Sequence, residues 1–107
     1  MSKKFTFHSP YQTYEECYFV RSQYYHDNSL CIEVYNNEVG PISRVTICPD
    51  FKLNPGEIAI KDYSENVGML LEMQKLGLVK EVVRLERQGF VQIPVCTYDE
   101  KILKEYS

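Results

Sequence analysis

The sequence predicts an α+β domain: a curved antiparallel β-sheet of about five or six strands, packed against one main helix, with a short C-terminal helix. Three observations carry that expectation. Runs of β-forming residues with period-2 alternation fill the chain between Tyr18 and Ile47. Successive runs are separated only by turn residues, which favours antiparallel neighbours over a parallel sheet with helical crossovers. One segment, Asn66 to Leu76, has both helical spacing and a glycine stop.

Tyr18 to Tyr25 is aromatic and β-forming, His26-Asp27-Asn28-Ser29 is a turn cluster, and Leu30 to Tyr35 is the second arm of a hairpin. In that arm Leu30, Ile32 and Val34 share one face and Cys31, Glu33 and Tyr35 the other. After the turn at Asn36 to Gly40, Pro41 to Ile47 reads as a third strand, with Val45 and Ile47 on one side and Arg44 and Thr46 on the other. Pro49-Asp50 and Asn54-Pro55-Gly56 bracket a loop, since proline fixes its own φ and restricts its predecessor. Glu57 to Asp62 alternates again, with Ile58 and Ile60 inward.

Ser64 and Glu65 mark the start of the main helix, Gly77 its left-handed stop, and Leu78 a contact back to Met73. Val67, Leu70 and Leu71 form the expected core stripe, widened by Met69, Met73 and Leu76. Val79 to Arg87 is favoured as a strand over a helix, with Val79, Val83 and Leu85 inward. Phe90 to Tyr98 is a further strand whose Pro94 cannot donate to a ladder, placing it at an edge or leaving it paired on one side there. Asp99 caps a terminal helix anchored by Ile102 and Leu103.

With 107 residues and no repeat or linker, residues 1–107 form a single domain. Twelve basic against fifteen acidic residues give a net charge of −3, spread over both halves. This argues against a dedicated duplex-DNA binder, which needs a basic stripe to displace counterions. The start Met1-Ser2-Lys3-Lys4 is basic like a signal peptide, but His8, Ser9 and Pro10 interrupt any apolar run. No stretch approaches a membrane span, so no membrane association and a cytoplasmic location are expected. In that compartment Cys17, Cys31, Cys48 and Cys96 are read as reduced thiols beside apolar strands.

Chemistry-bearing patterns are sparse. A thiol enzyme would need Cys17 or Cys31 activated by His26 and oriented by Asp27 or Asn28; His26 sits at a turn tip and strand cysteines are usually packing, so no catalytic residue is assigned. The two histidines and the cysteines lack zinc-ligand spacing, and there is no dinucleotide, phosphate-loop or nucleophile-elbow motif, so neither a metal nor a cofactor is expected. Asp62-Tyr63-Ser64-Glu65-Asn66 precedes a helix, but its carboxylates disfavour an anion and local capping explains it.

The aromatic distribution is the unusual feature. Six of nine tyrosines (Tyr11, Tyr14, Tyr18, Tyr24, Tyr25, Tyr35) lie in the first 35 residues, with Phe5, Phe7 and Phe19. Ordinary strand packing is one account. A protein-binding face built on Tyr18, Arg21, Tyr24, Tyr25, Tyr35 and Arg44 is the second, and a platform stacking single-stranded bases or a small ligand is the third.

The succession Leu30-Cys31-Ile32-Glu33-Val34, Gly40-Pro41-Ile42-Ser43-Arg44-Val45-Thr46, Lys61-Asp62-Tyr63-Ser64-Glu65-Asn66, Gly77-Leu78 and Gly89-Phe90-Val91-Gln92-Ile93-Pro94 resembles a family of small uncharacterised proteins. These are carried by phages, plasmids and conjugative elements of Gram-positive bacteria. Cys48 stands where that pattern often has asparagine. The resemblance brings no activity and no catalytic residue; it implies a mobile-element accessory context. The expected function is therefore a non-enzymatic factor that binds a host or element-encoded protein, for example as a stoichiometric inhibitor of host defence. A single-stranded nucleic-acid or small-ligand binder is the alternative.

Overall fold

The computed structural model of the chain describes residues 3–107; Met1 and Ser2, part of the basic start read above, lie outside the described residues. Among the described residues the fold is α+β and antiparallel, with seven strands in two sheets and two α-helices. Strands β1 (Phe5–His8), β2 (Thr13–Gln23), β3 (Leu30–Asn36) and β4 (Gly40–Arg44) form a four-stranded sheet in that order. Strands β5 (Glu57–Ala59), β6 (Val79–Gln88) and β7 (Val91–Tyr98) form a three-stranded sheet in the order β5-β7-β6. Helix α1 spans Met69–Leu76 and α2 spans Glu100–Glu105. The expected single sheet of five or six strands is thus corrected to two sheets, because the chain after β4 turns away from its neighbour. Residues 45–47 leave β3 and meet the end of β5: Val45 N–H donates to the Ile32 carbonyl, while Ile47 N–H reaches the Ala59 carbonyl and Lys61 N–H that of Val45.

On β3, Ile32 and Val34 are buried in the core with Cys17 and Phe19 from β2, as the alternation implied, but Cys31, read on the opposite face, is buried too, beside the Tyr24 side chain. The four-residue β1 is an element the sequence reading did not assign. Phe5 and Phe7 face the core from it, Phe5 tilted against Phe19 with ring centroids 4.7 Å apart. Between Phe5 and Phe7 the pairing with β2 slips, and Glu16 takes a left-handed φ of 55° to absorb the extra residue. Thr46, expected to face out beside Arg44, is completely buried; its Oγ1 accepts the Ile32 N–H at 3.1 Å where backbone pairing has been lost.

Helix α1 is shorter than predicted. Residues 64–66 make one 3₁₀ turn, Gly68 is left-handed (φ 96°), and the helix begins at Met69. Ser64 is not its cap, being itself left-handed (φ 56°); the Asp62 carboxylate instead accepts the N–H groups of Gly68 (3.0 Å) and Leu70 (3.1 Å). This offset rotates the helical stripe, so Met69 and Met73 are buried while Val67 and Leu71, expected inside, are 60% and 55% exposed. The stop is as read: Gly77 (φ 94°) donates to the Met73 and Gln74 carbonyls, and Leu78 is buried. Asp99 caps α2 by accepting from Lys101 and Ile102 N–H, and Leu103 anchors it.

Residues 79–88 are a strand, as favoured, but Val83 and Leu85 are 39% and 59% exposed rather than inward. The register against β7 shifts twice, between Val79 and Glu81 and between Val82 and Arg84; Val83 falls within the second shift, while Leu85, back in step with Val79, lies uncovered on the edge strand of the sheet. The Pro94 strand is central in its sheet, not an edge. Pairing with β5 ends at Ala59–Val95, and the Pro94 carbonyl accepts from Ile60, so its missing N–H falls where β5 has run out.

The three-stranded sheet is tied together by Glu57, whose side chain is only 8% exposed. The Arg84 Nη1 donates to both its oxygens (3.0 and 2.8 Å), and Asn54 N–H adds a third bond at 2.8 Å. The Arg84 guanidinium holds this carboxyl below its ordinary pKa. A depressed folded-state pKa means stabilisation that is complete at neutral pH and lost as pH falls through the folded value. Wild-type protein should therefore exceed Glu57→Gln in denaturant midpoint at neutral pH, and the gap should close as pH falls through and below the ordinary glutamate range. Urea titrations across that range check it; a pH-independent gap would mean that the charge plays no part.

Candidate interaction face

The register of β2, β3 and β4 decides which tyrosines share a surface. Tyr18 pairs with Tyr35, Val20 with Glu33 and Ser22 with Cys31, while Glu33 in turn faces Arg44. Since Cys17, Phe19, Ile32 and Val34 point into the core, the alternate residues Tyr18, Val20, Glu33 and Tyr35 point out. The Tyr18 and Tyr35 rings are 6.2 Å apart and tilted by 32°, Lys4 Nζ stands 4.3 Å from the Tyr18 centroid, and the Tyr18 hydroxyl donates to Asn37 Oδ1 at 3.2 Å. Lys4 was missed because the strand it leads into was missed.

Tyr24 extends this face toward the hairpin turn. Its hydroxyl donates to the Thr46 carbonyl at 2.8 Å, and Arg44 lies over its ring at 5.8 Å. Burial raises the Tyr24 phenol well above its ordinary pKa, with the Cys31 thiol beside it adding to the rise. This side chain is therefore partly structural, lying against Cys31 and bridging the hairpin to residue 46. Tyr18, Tyr24, Tyr35 and Arg44 stand together on the outer surface of one rigid sheet.

The remaining two predicted residues are elsewhere. Arg21 lies on the inner-facing side of β2, past the core, where both of its terminal nitrogens grip the Glu100 carboxylate of α2 at 2.6 and 2.9 Å. Tyr25 is wholly exposed in the turn between β2 and β3, away from the sheet face. Of the other early aromatics, Tyr11 is exposed in the β1–β2 turn and Tyr14 stacks on Phe7 with centroids 6.5 Å apart. The unread counterpart of Tyr25 is Phe90, 99% exposed in the two-residue turn between β6 and β7, where Gly89 (φ 63°) supplies the first position of a II′-type turn.

Beside Tyr18 the face runs into an open groove of about 640 Å³ lined by Lys4, Thr13, Glu15, Glu16, Asn37 and Glu38, among others. Among the described residues, no group of three His, Cys, Asp or Glu side chains is placed to hold a metal ion. Burial raises Cys17 and pushes Cys96 up to about 12, and Cys48 is raised by desolvation and by the Asp27 carboxylate. His26 is exposed in its turn and makes no hydrogen bond to a thiol among the described residues. No described helix is long and apolar enough to cross a membrane.

No family model matches this chain, and neither the curated proteins nor the solved structures compared with it yield a match.

Proposed function

We propose that this chain is a non-enzymatic binding protein that acts in the cytoplasm by occupying a host or element-encoded protein through the outer face of its four-stranded sheet. Tyr18 and Tyr35 would be the central contacts, and Arg44 with Tyr24 the flank. The carrying observation is the pair of adjacent, outward phenol rings on paired strands, with Lys4 and Arg44 each over a ring of that face. Rigid rings with polar tips supply contact area at little entropic cost, and arginine and tyrosine dominate binding energy at interfaces. The resemblance of residues 25–98 to accessory proteins of phages and mobile elements supports a stoichiometric inhibitor, for which one rigid face suffices, with a host defence protein as its target.

The same two cations beside aromatic rings favour a second reading, a single-stranded nucleic-acid platform. One experiment separates them. Wild-type protein and a Tyr18→Ser, Tyr35→Ser double variant are used to capture partners from nuclease-treated host lysate and are titrated with a labelled oligonucleotide at two salt concentrations. Capture of one host protein, reduced at least about tenfold by the double variant, supports the proposal. Tight, salt-sensitive oligonucleotide binding lost in the same variant selects the second reading. Equal capture by both proteins removes the face from either.

A further inference from the structure

Strand β2 outruns its neighbour: β3 pairs with Tyr18 to Gln23 and leaves residues 13–17 in a ladder with β1 alone. The β3–β4 turn, residues 37–39, stands across from that stretch, and the open groove of about 640 Å³ lies between them, continuing the Tyr18–Tyr35 face. One backbone irregularity decides what lines it. In an unbroken strand Glu15 and Glu16 would point to opposite sides. The slip against β1, with Glu16 at a left-handed φ of 55°, leaves both exposed and both in the groove wall, and Glu38 joins them from the turn.

These carboxylates have no cation of their own. Among the described residues no ion pair reaches Glu15, Glu16 or Glu38. The one lysine lining the groove, Lys4, sets its ammonium over the Tyr18 ring, 4.3 Å from the centroid, and pairs with none of them. The sheet face therefore ends in three unpaired negative charges beside two rigid phenol rings.

We propose that the protein docking on this face is basic where it meets the groove and sets an arginine side chain among Glu15, Glu16 and Glu38; the inference rests on the binding role proposed for the Tyr18–Tyr35 face. Charge complementarity selects this occupant. A guanidinium offers a planar fork that matches carboxylate oxygens in pairs, sheds water more readily than an ammonium, and stacks on aromatic rings. A phosphate backbone in the same place would meet three like charges, which sets the groove against an oligonucleotide. The two parts of the face then divide the work. Exposed charge pairs add little affinity each but choose the partner and speed its encounter, whereas the buried rings hold the complex.

Acetyl-tetraarginine amide, titrated into the isotope-labelled full chain, should shift the amide resonances of residues 13–16 and 37–38 saturably and leave those of residues 84–88 in place. Tetraglutamate should shift neither. Glu15→Lys, Glu38→Lys changes only exposed side chains and spares the left-handed Glu16, so circular dichroism should stay that of the wild type while the tetraarginine shifts disappear. In capture from nuclease-treated host lysate the same variant should lose at least about tenfold of the protein that the wild type holds, and added salt should weaken capture. Tetraarginine shifts that are absent, spread evenly over the molecule or unchanged in the variant overturn the proposal. Capture lost with Tyr18→Ser, Tyr35→Ser but unchanged by Glu15→Lys, Glu38→Lys also overturns it, while leaving the face in use. Capture unchanged by both variants removes the face itself.

Discussion

Replacing Phe19 with alanine should cost about 3–5 kcal/mol of folding free energy, the largest loss expected from any single truncation in this chain. Phe19 is 1% exposed and is the largest of the fully buried side chains. It packs on Phe5 at 4.7 Å, and Phe5 in turn meets the Tyr106 ring edge-on at 5.6 Å. The cavity would open where β1, β2 and the end of α2 meet, and the four-residue β1, whose Phe5 packs on this ring, would lose its main apolar contact. A domain of this size has about 5–15 kcal/mol to lose. Urea unfolding gives the number, with Leu71→Ala as an exposed control expected to move by less than about 0.5 kcal/mol. A Phe19→Ala loss no larger than the control's would mean that the core described here is not the one that holds the fold.

Thr46→Val keeps the shape of a fully buried side chain and removes one oxygen. That oxygen accepts the Ile32 N–H at 3.1 Å and lies 3.3 Å from the Tyr24 hydroxyl. Valine would leave a buried backbone donor without a partner, a loss of about 1–3 kcal/mol despite the added apolar surface. The position stands where β3 loses β4 and the two sheets are joined by Thr46 pairing with Ile60. Thr46→Ser, which retains the acceptor, should recover most of the loss. If valine proved neutral, the hydroxyl would carry no weight at the junction, and the joint between the sheets would rest on backbone bonds alone.

Both predictions bear on the proposed binding face, because Thr46 and Phe19 lie beneath it. Tyr24 is held by the Thr46 carbonyl and alternates along β2 with Phe19's side of the sheet. A variant that unsettles either residue should weaken the face without touching Tyr18 or Tyr35. For that reason Tyr18→Ser, Tyr35→Ser is the cleaner probe of binding, whereas Tyr24→Ala would confuse lost contact with lost structure.

What the sequence determined by itself is local. Alternation placed Ile32 and Val34 inside, Gly77 ended α1 and Asp99 capped α2, because each depends on conformational preferences within a few residues. Tertiary structure decided whatever needed a distant partner. The short β1 exists because Phe5 and Phe7 find a core, and Asp62 rather than Ser64 caps α1 because the 3₁₀ turn folds it back. Thr46 is buried because a second sheet begins there, and Leu85 is exposed because it lies on the edge strand of that sheet. Alternation along β2 by itself sets Arg21 opposite Tyr18, but only strand register brings Tyr35 and Arg44 onto the same face as Tyr18 and Tyr24, since a spacing of two along one strand says nothing about what lies across it.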